Sequence, residues 1–203
     1  MPFELTGTAK YHLNRAMLIV ALLNLAYFFV EFAVALTIGS VSLFADSADF
    51  FEDAAVNFLI LAALGWSPKR RAKVGMLLSA VLLAPVIAFL WTLWHKIGTP
   101  VPPAAIPLSI TGLGALIINL FAAFLLARFR HHAGSLTKAA FLSARNDALA
   151  NVAIILAGLV TLRFPSVWPD IIVGLGIAYM NLDAAHEVWT AARDEHRLAQ
   201  AEP

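Results

Sequence analysis

The 203-residue chain contains no cysteine, which excludes disulfides and thiolate-held metal and leaves oxygen and imidazole as the available metal donors. Charge is scarce as well. Only 13% of the residues are charged and the net charge is +1, where soluble domains carry about a quarter charged residues. The basic residues sit beside hydrophobic runs instead of forming one patch, which excludes a nucleic-acid surface. Long polar or Gly/Ser-rich linkers are missing, so no second domain fits. What is abundant is apolar: 61% hydrophobic residues and a mean hydropathy of +0.80 describe an integral membrane protein lodged in a lipid bilayer.

A bilayer core takes about 20 apolar residues as helix. Six stretches qualify: Ala16 to Ile38, Val41 to Gly65, Val74 to Trp94, Ile106 to Ala127, Ala139 to Leu162 and Ile171 to Trp189. Gly39-Ser40, Ser67-Pro68, Pro100 to Pro107, His131 to Gly134 and Phe164-Pro165 to Pro169 break them. The expectation is an all-α membrane protein with a six-helix transmembrane bundle. Residues 1–15 form a cytosolic lead-in without a cleavage signal, 16–191 the bundle, and 192–203 a short cytosolic tail.

Cytoplasmic loops accumulate Lys and Arg. Lys10 and Arg15 precede the first span, Lys69, Arg70, Arg71 and Lys73 follow the second, Arg128, Arg130 and Lys138 follow the fourth, and Arg193 and Arg197 follow the sixth. The other side has Lys96 and Arg163, so both termini are expected in the cytoplasm, and the bilayer to be the plasma (inner) membrane. Trp66, Trp91, Trp94, Trp168 and Trp189 lie near span ends, as aromatic belts do. Pro85 predicts a kink in the third span. The Gly112-Leu-Gly114 and Gly174-Leu-Gly176 elements follow no strand and read as close-packing contacts, not nucleotide loops.

Against this apolar frame, acids at bilayer depth stand out. An ionisable side chain there costs roughly 3 kcal/mol or more unless a cavity, pathway or partner stabilises it. With about 100° per residue, Asp46, Asp49, Asp53 and Asn57 fall within one sector of the second span. Ser143, Asp147 and Asn151 make a stripe on the fifth, and Asn24, Tyr27 and Glu31 a weaker one on the first. Asp49, Asp53 and Asp147 come to similar depth near the midplane, where transporters place their sites. Such carboxylates repel one another unless a cation or protons neutralise them. Asp46 reads as an acid hydrogen-bonded to a neighbouring helix, Glu31 as a structural acid or relay, Glu52 as a flanking group, and Arg145 as a base snorkelling to the interface. His131 and His132 read as solvated loop residues, and His12, His95, His186 and His196 carry no assignment.

These residues resemble the signature of the cation diffusion facilitators. The matching run has an acid at Glu31, the Gly39-Ser40 turn, Ser42-Leu43-Phe44-Ala45-Asp46, and then Asp49 four residues before Asp53. Asp147 to Asn151 resembles the fifth-helix signature, and Trp168-Pro169-Asp170 through Gly174 resembles the entry to the sixth. The resemblance implies export of a divalent transition metal, most often zinc, in exchange for protons by alternating access. It puts Asp49, Asp53 and Asp147 in the ligand places, with no permanent cofactor and no catalytic role. It also favours a homodimer. Where the family usually has His, this chain has Ser143, so the fourth donor is Ser143, Asn146 or water, with Asn146, Asn151, Asn57, Asp46 and Glu31 as surrounding or pathway groups.

An all-oxygen set is compatible with zinc and also suits manganese or ferrous iron; cobalt and cadmium are further candidate cargoes. Family members commonly continue into a soluble metal-binding, dimerising domain, whereas this sequence ends shortly after Trp189. Rival readings are a passive cation channel, a non-transporting scaffold, and an intramembrane aspartyl protease. The last requires a Gly-x-Gly-Asp element, and Asp147 follows Arg145-Asn146 instead.

Overall fold

The structure, a computed structural model, describes residues 7–63, 86–127 and 135–180. All regular structure in these segments is helical, with no strand. Helix α1 is Gly7–Ile38, α2 is Val41–Ala63, α4 is Ala105–Ala127 and α5 is Ser135–Arg163. Residues 86–98 form α3, and Trp168–Met180 form α6. Among the described residues, α1, α4 and α5 each contain a stretch long and apolar enough to cross a membrane. Helix α2 carries Asp46, Asp49, Glu52 and Asp53, which lower its apolarity. The loop Lys69 to Lys73, Pro85, Arg128 to His132, Trp66, Trp189 and the tail 192–203 lie outside the described residues.

Breakers set the ends. Gly39 takes φ 63°, a left-handed conformation that glycine adopts without steric penalty. Ser40 N then donates to Ala35 O at 3.2 Å, the bond that closes a helix of this type. Ser40 also starts α2, its Oγ accepting from Leu43 N at 3.2 Å as an N-cap does. Pro107 and Pro169 sit in the first turns of α4 and α6, where a missing N–H leaves no helical bond unmade. Several boundaries differ from the sequence reading. Helix α1 reaches back at least to Gly7 and α5 at least to Ser135, α3 runs on to Gly98 and α6 starts at Trp168, because hydropathy marks the apolar stretch whereas the helix itself continues through the polar residues at the interface.

The helices pack α1 on α2, α4 on α5, α1 on α4 and α2 on α5. Polarity is inverted relative to a soluble bundle. The buried face of α4 is Leu108, Thr111, Gly112, Ala115, Asn119, Ala122 and Leu126, whereas Ile106, Ile110, Ile117 and Phe124 point outward. Small and polar residues inside with large apolar ones outside is how helices associate in lipid, where tight contact replaces the hydrophobic drive. At the α4–α5 crossing, a Cβ on Gly112 would come within 2.9 Å of Ile154.

Three apolar clusters stack along the bundle. One, near the α1–α2 turn, includes Val41, Phe44, Leu108, Ile154 and Ile171. A middle one joins Phe28, Phe50, Phe51 and Ala115. The third, at the opposite end, includes Leu13, Met17, Val20, Leu126 and Ala144. The acids of α2 face the seams with α1 and α5 between these clusters.

Candidate metal-binding site

The spacing of α2 and α5 brings their acid stripes face to face. Ser143 Oγ lies 3.1 Å from Asp53 Oδ1 and 3.4 Å from Asp147 Oδ2. Asp147 feels the Asp53 carboxylate as its strongest charged neighbour. A hydroxyl has one proton to donate, so Ser143 serves one carboxylate at a time and leaves the other without it. Asn24 of α1 adds a longer contact, its Nδ2 donating to Asp53 Oδ2 at 3.4 Å. Asp53 and Asp147 each stand twelve residues from an end of their helix, about 18 Å by helical rise.

Asp49 is partly exposed and feels Asp147 as its strongest charged neighbour. Among the described residues it makes no hydrogen bond to Ser143, Asp53 or Asp147, however. Among the described residues no three His, Asp or Glu side chains converge tightly enough to hold a metal ion. The geometry therefore gathers Asp53, Ser143 and Asp147, and keeps Asp49 one turn away on the same face of α2. Every donor in the group is an oxygen. The nearest Lys or Arg in sequence, Arg145, is exposed and donates to Asn146 Oδ1 at 3.4 Å.

Asn146 is exposed and does not join the cluster, because one residue along a helix is a rotation of about 100° away from Asp147. Asn57 turns back on its own helix, donating from Nδ2 to Asp53 O at 2.8 Å. Glu52 is partly exposed. Tyr27 Oη donates to Thr111 O at 2.6 Å, tying α1 to α4.

Asp46 and Asn151 belong to a separate, buried chain. Asn119 Nδ2 donates to Asn151 Oδ1 at 3.0 Å, and Asn151 Nδ2 donates to Asp46 Oδ2 at 2.6 Å. Asp46 in turn faces Glu31, the two carboxyls being within hydrogen-bonding reach. This chain joins α4, α5, α2 and α1. Asn119 escaped the sequence reading, although a lone Asn in the apolar run of α4 was the available signal.

A second missed feature is Asp170 at the start of α6. Its Oδ1 accepts from Ser40 Oγ at 2.7 Å, Ser42 N at 3.1 Å and Ser42 Oγ at 2.7 Å. Its Oδ2 accepts from Val41 N at 2.9 Å and Lys96 Nζ at 2.9 Å. The carboxylate caps the N-terminus of α2, where the orphan N–H groups and helix dipole favour negative charge.

A groove of about 480 Å³ lined by Tyr11, Asn14, Arg15, Leu18 and Leu61 lies about 12 Å beyond Asp53 along α2. It holds none of the acids, so it is not the site.

Apolar helices that enclose facing carboxylates describe a membrane protein with a polar core. Residues 17–194 match the cation efflux transmembrane domain, and the chain belongs to the cation diffusion facilitator family. It is similar to the zinc transporter ZitB of Yersinia pestis, 26% identical over 178 residues, covering 81% of this chain and 56% of that protein. It is also similar to ZitB of Yersinia pseudotuberculosis, 28% identical over 136 residues, covering 61% of this chain and 44% of that protein. The chain thus spans about half the length of the curated relatives it matches.

Proposed function

We propose that the chain moves a divalent transition metal, zinc first among them, out of the cytosol across the plasma membrane in exchange for protons. The observation that carries this reading is the Ser143 hydroxyl shared between Asp53 and Asp147, 3.1 and 3.4 Å away. Two carboxylates from facing helices meet at mid-bilayer depth, no described Lys or Arg pairs with either, and one hydroxyl proton cannot satisfy both. Such a pair calls for a cation or for protons, and exchange of one for the other is antiport.

In this reading six spans cross the membrane with both termini in the cytoplasm. Metal enters from the cytosolic end and binds Asp53, Asp147 and Ser143, and Asp49 is drawn in from the next turn to complete the set. The bundle rocks to face outward, and protons displace the metal from the same oxygens. Family membership and the similarity to two zinc transporters support metal as the cargo. A homodimer through helix faces remains part of this proposal.

The test is metal-driven proton flux in proteoliposomes, with zinc, cadmium, cobalt, manganese and ferrous iron supplied separately and Asp147→Ala as the control. Zinc flux that vanishes in Asp147→Ala establishes the exchanger. Flux only with manganese or ferrous iron keeps the mechanism and changes the cargo, as an all-oxygen donor set permits. Metal flux that needs no proton gradient and drives no proton movement overturns antiport in favour of a channel.

A further inference from the structure

We propose that Glu31 and Asp46 form a second ion-handling site, separate from the metal-binding carboxylates, whose ligand is a proton. Both side chains are completely buried, at 0% exposure. Glu31 Oε1, Glu31 Oε2 and Asp46 Oδ1 have no hydrogen-bond partner among the described residues other than each other's carboxyl. Two ionised carboxylates cannot be held facing each other in a low-dielectric interior without a counter-charge. A single proton on Glu31, donated to Asp46, removes the conflict and fills the missing bond.

The same protein shows what a buried carboxylate looks like when it is kept ionised. Asp170, also at 0% exposure, collects two backbone N–H groups, two hydroxyls and an ammonium. Glu31 collects no such donor, so its satisfaction has to come from a proton of its own. A metal ion fits less well. Asn151 Nδ2 points N–H at Asp46 Oδ2 from 2.6 Å, and that amide is held donor-side inward because its Oδ1 accepts from Asn119. That leaves three free oxygens from two residues, with an N–H dipole opposing any added cation, where a zinc site takes about four donors.

Position gives the proton a use. Asp46 lies seven residues before Asp53, about 10 Å along α2, on the side of the α1–α2 turn. Among the described residues, the ionisable groups around the pair are Tyr27 on α1, Asp49 and Asp53 on α2, and Asp147 on α5. Helix α4 has no ionisable residue. On α3 and α6, Lys96 and Asp170 are paired at the helix ends, while His95 and Tyr179 are exposed. The pair is thus placed to hold a proton between the metal site and the turn end of the bundle and to exchange it during transport. That exchange rests on the transport reading; the bound proton does not.

Two readouts keep the parts distinguishable. Infrared spectra of the lipid-reconstituted chain are recorded at neutral pH in a variant combining D49N, D53N and D147N. A protonated-carboxyl carbonyl band is expected to remain there and to disappear on adding Glu31→Gln. Absence of the band, or its survival in Glu31→Gln and in Asp46→Asn alike, overturns the proton site. Asp46→Asn serves if Glu31→Gln does not fold.

In the otherwise unaltered chain, Glu31→Gln is expected to bind zinc with unchanged affinity and stoichiometry while the protons moved per zinc fall by about one. An unchanged ratio makes the proton a fixed structural one and overturns the exchange. Loss of zinc binding, or loss of one of two bound zinc ions, assigns the pair to metal and overturns the separation. Absence of zinc flux in the unaltered chain sinks the transport reading and leaves the infrared result to decide the proton.

Discussion

Lys96 Nζ lies 2.9 Å from Asp170 Oδ2 with both side chains buried, and this ion pair joins α3 to the same carboxylate that caps α2 from α6. Three helix ends therefore meet on one side chain. Removing one partner of a buried pair leaves the other charge uncompensated, at a cost of about 3–5 kcal/mol. Here the two partners differ in what else supports them. Asp170 without Lys96 keeps two N–H groups and two hydroxyls, whereas Lys96 without Asp170 has no other partner among the described residues.

Asp170→Ala is accordingly expected to lower stability by about 3–5 kcal/mol, and Lys96→Met by about 2 kcal/mol. Unfolding in detergent micelles, followed by helix content against denaturant, measures both. Equal losses would show that the four α2 donors contribute nothing to holding Asp170.

Ser143 stands where its hydroxyl reaches carboxylates on two helices. Ser143→Ala removes that donor and, in the proposed site, one oxygen ligand, and a drop of about 10- to 100-fold in metal affinity is expected, with insertion unaffected. Ser143→His replaces an oxygen with an imidazole at the same place, which favours zinc and cobalt over manganese. Equilibrium metal binding to the purified variants tests both. A zinc-to-manganese preference that Ser143→His leaves unmoved would place the side chain outside the metal's coordination sphere.

Alanine at Asp49, Asp53 or Asp147 is expected to abolish metal flux while the protein still inserts and keeps its helix content. Proteoliposome flux and circular dichroism together read this. The Asp49→Ala result is the most telling, since Asp49 lies a turn from the Ser143 group. Full flux in that variant would reduce the protein donors to Asp53, Asp147 and Ser143.

The α4–α5 seam offers a packing test. A leucine at Gly112 would drive its first carbon to within 2.9 Å of Ile154 and 3.3 Å of Ile155. Overpacking of this kind costs about 1–3 kcal/mol, and Gly112→Leu should lower the unfolding midpoint accordingly. Glycine at 176, by contrast, meets nothing within 4 Å among the described residues, so Gly176→Leu is the neutral comparison. Similar losses at both positions would mean that the crossing can spread without penalty.

How much of this could be read beforehand depends on the range of the interaction. The start of α2 at Val41 follows from the Gly39-Ser40 punctuation, and the 3.6-residue period alone puts Ser143 and Asp147 on one face. Local rules reach that far. Asp170 meets Ser40 across 130 positions and Lys96 across 74, and nothing within a few residues of either announces the partner. The Asn119–Asn151 bond spans 32 residues and was equally hidden, although an amide in an apolar helix signals that some partner exists. Asn146 is the opposite case: it adjoins Asp147 in the chain, and the helical turn sets the two about 100° apart.

Orientation can be tested directly because the chain has no cysteine, so single introduced thiols report without background. Thr99 is exposed just past α3, on the side where Lys96 and Arg163 are the only basic residues near span ends. Lys10 lies at the start of α1, on the side rich in Lys and Arg. With both termini cytoplasmic, a membrane-impermeant maleimide applied to intact cells should label Thr99→Cys and leave Lys10→Cys untouched until the membrane is opened. Labelling of Lys10→Cys in intact cells would reverse the bundle. The acid pair at Glu31 and Asp46 would then sit on the cytosolic side of the metal site, and export would have to be rewritten as import.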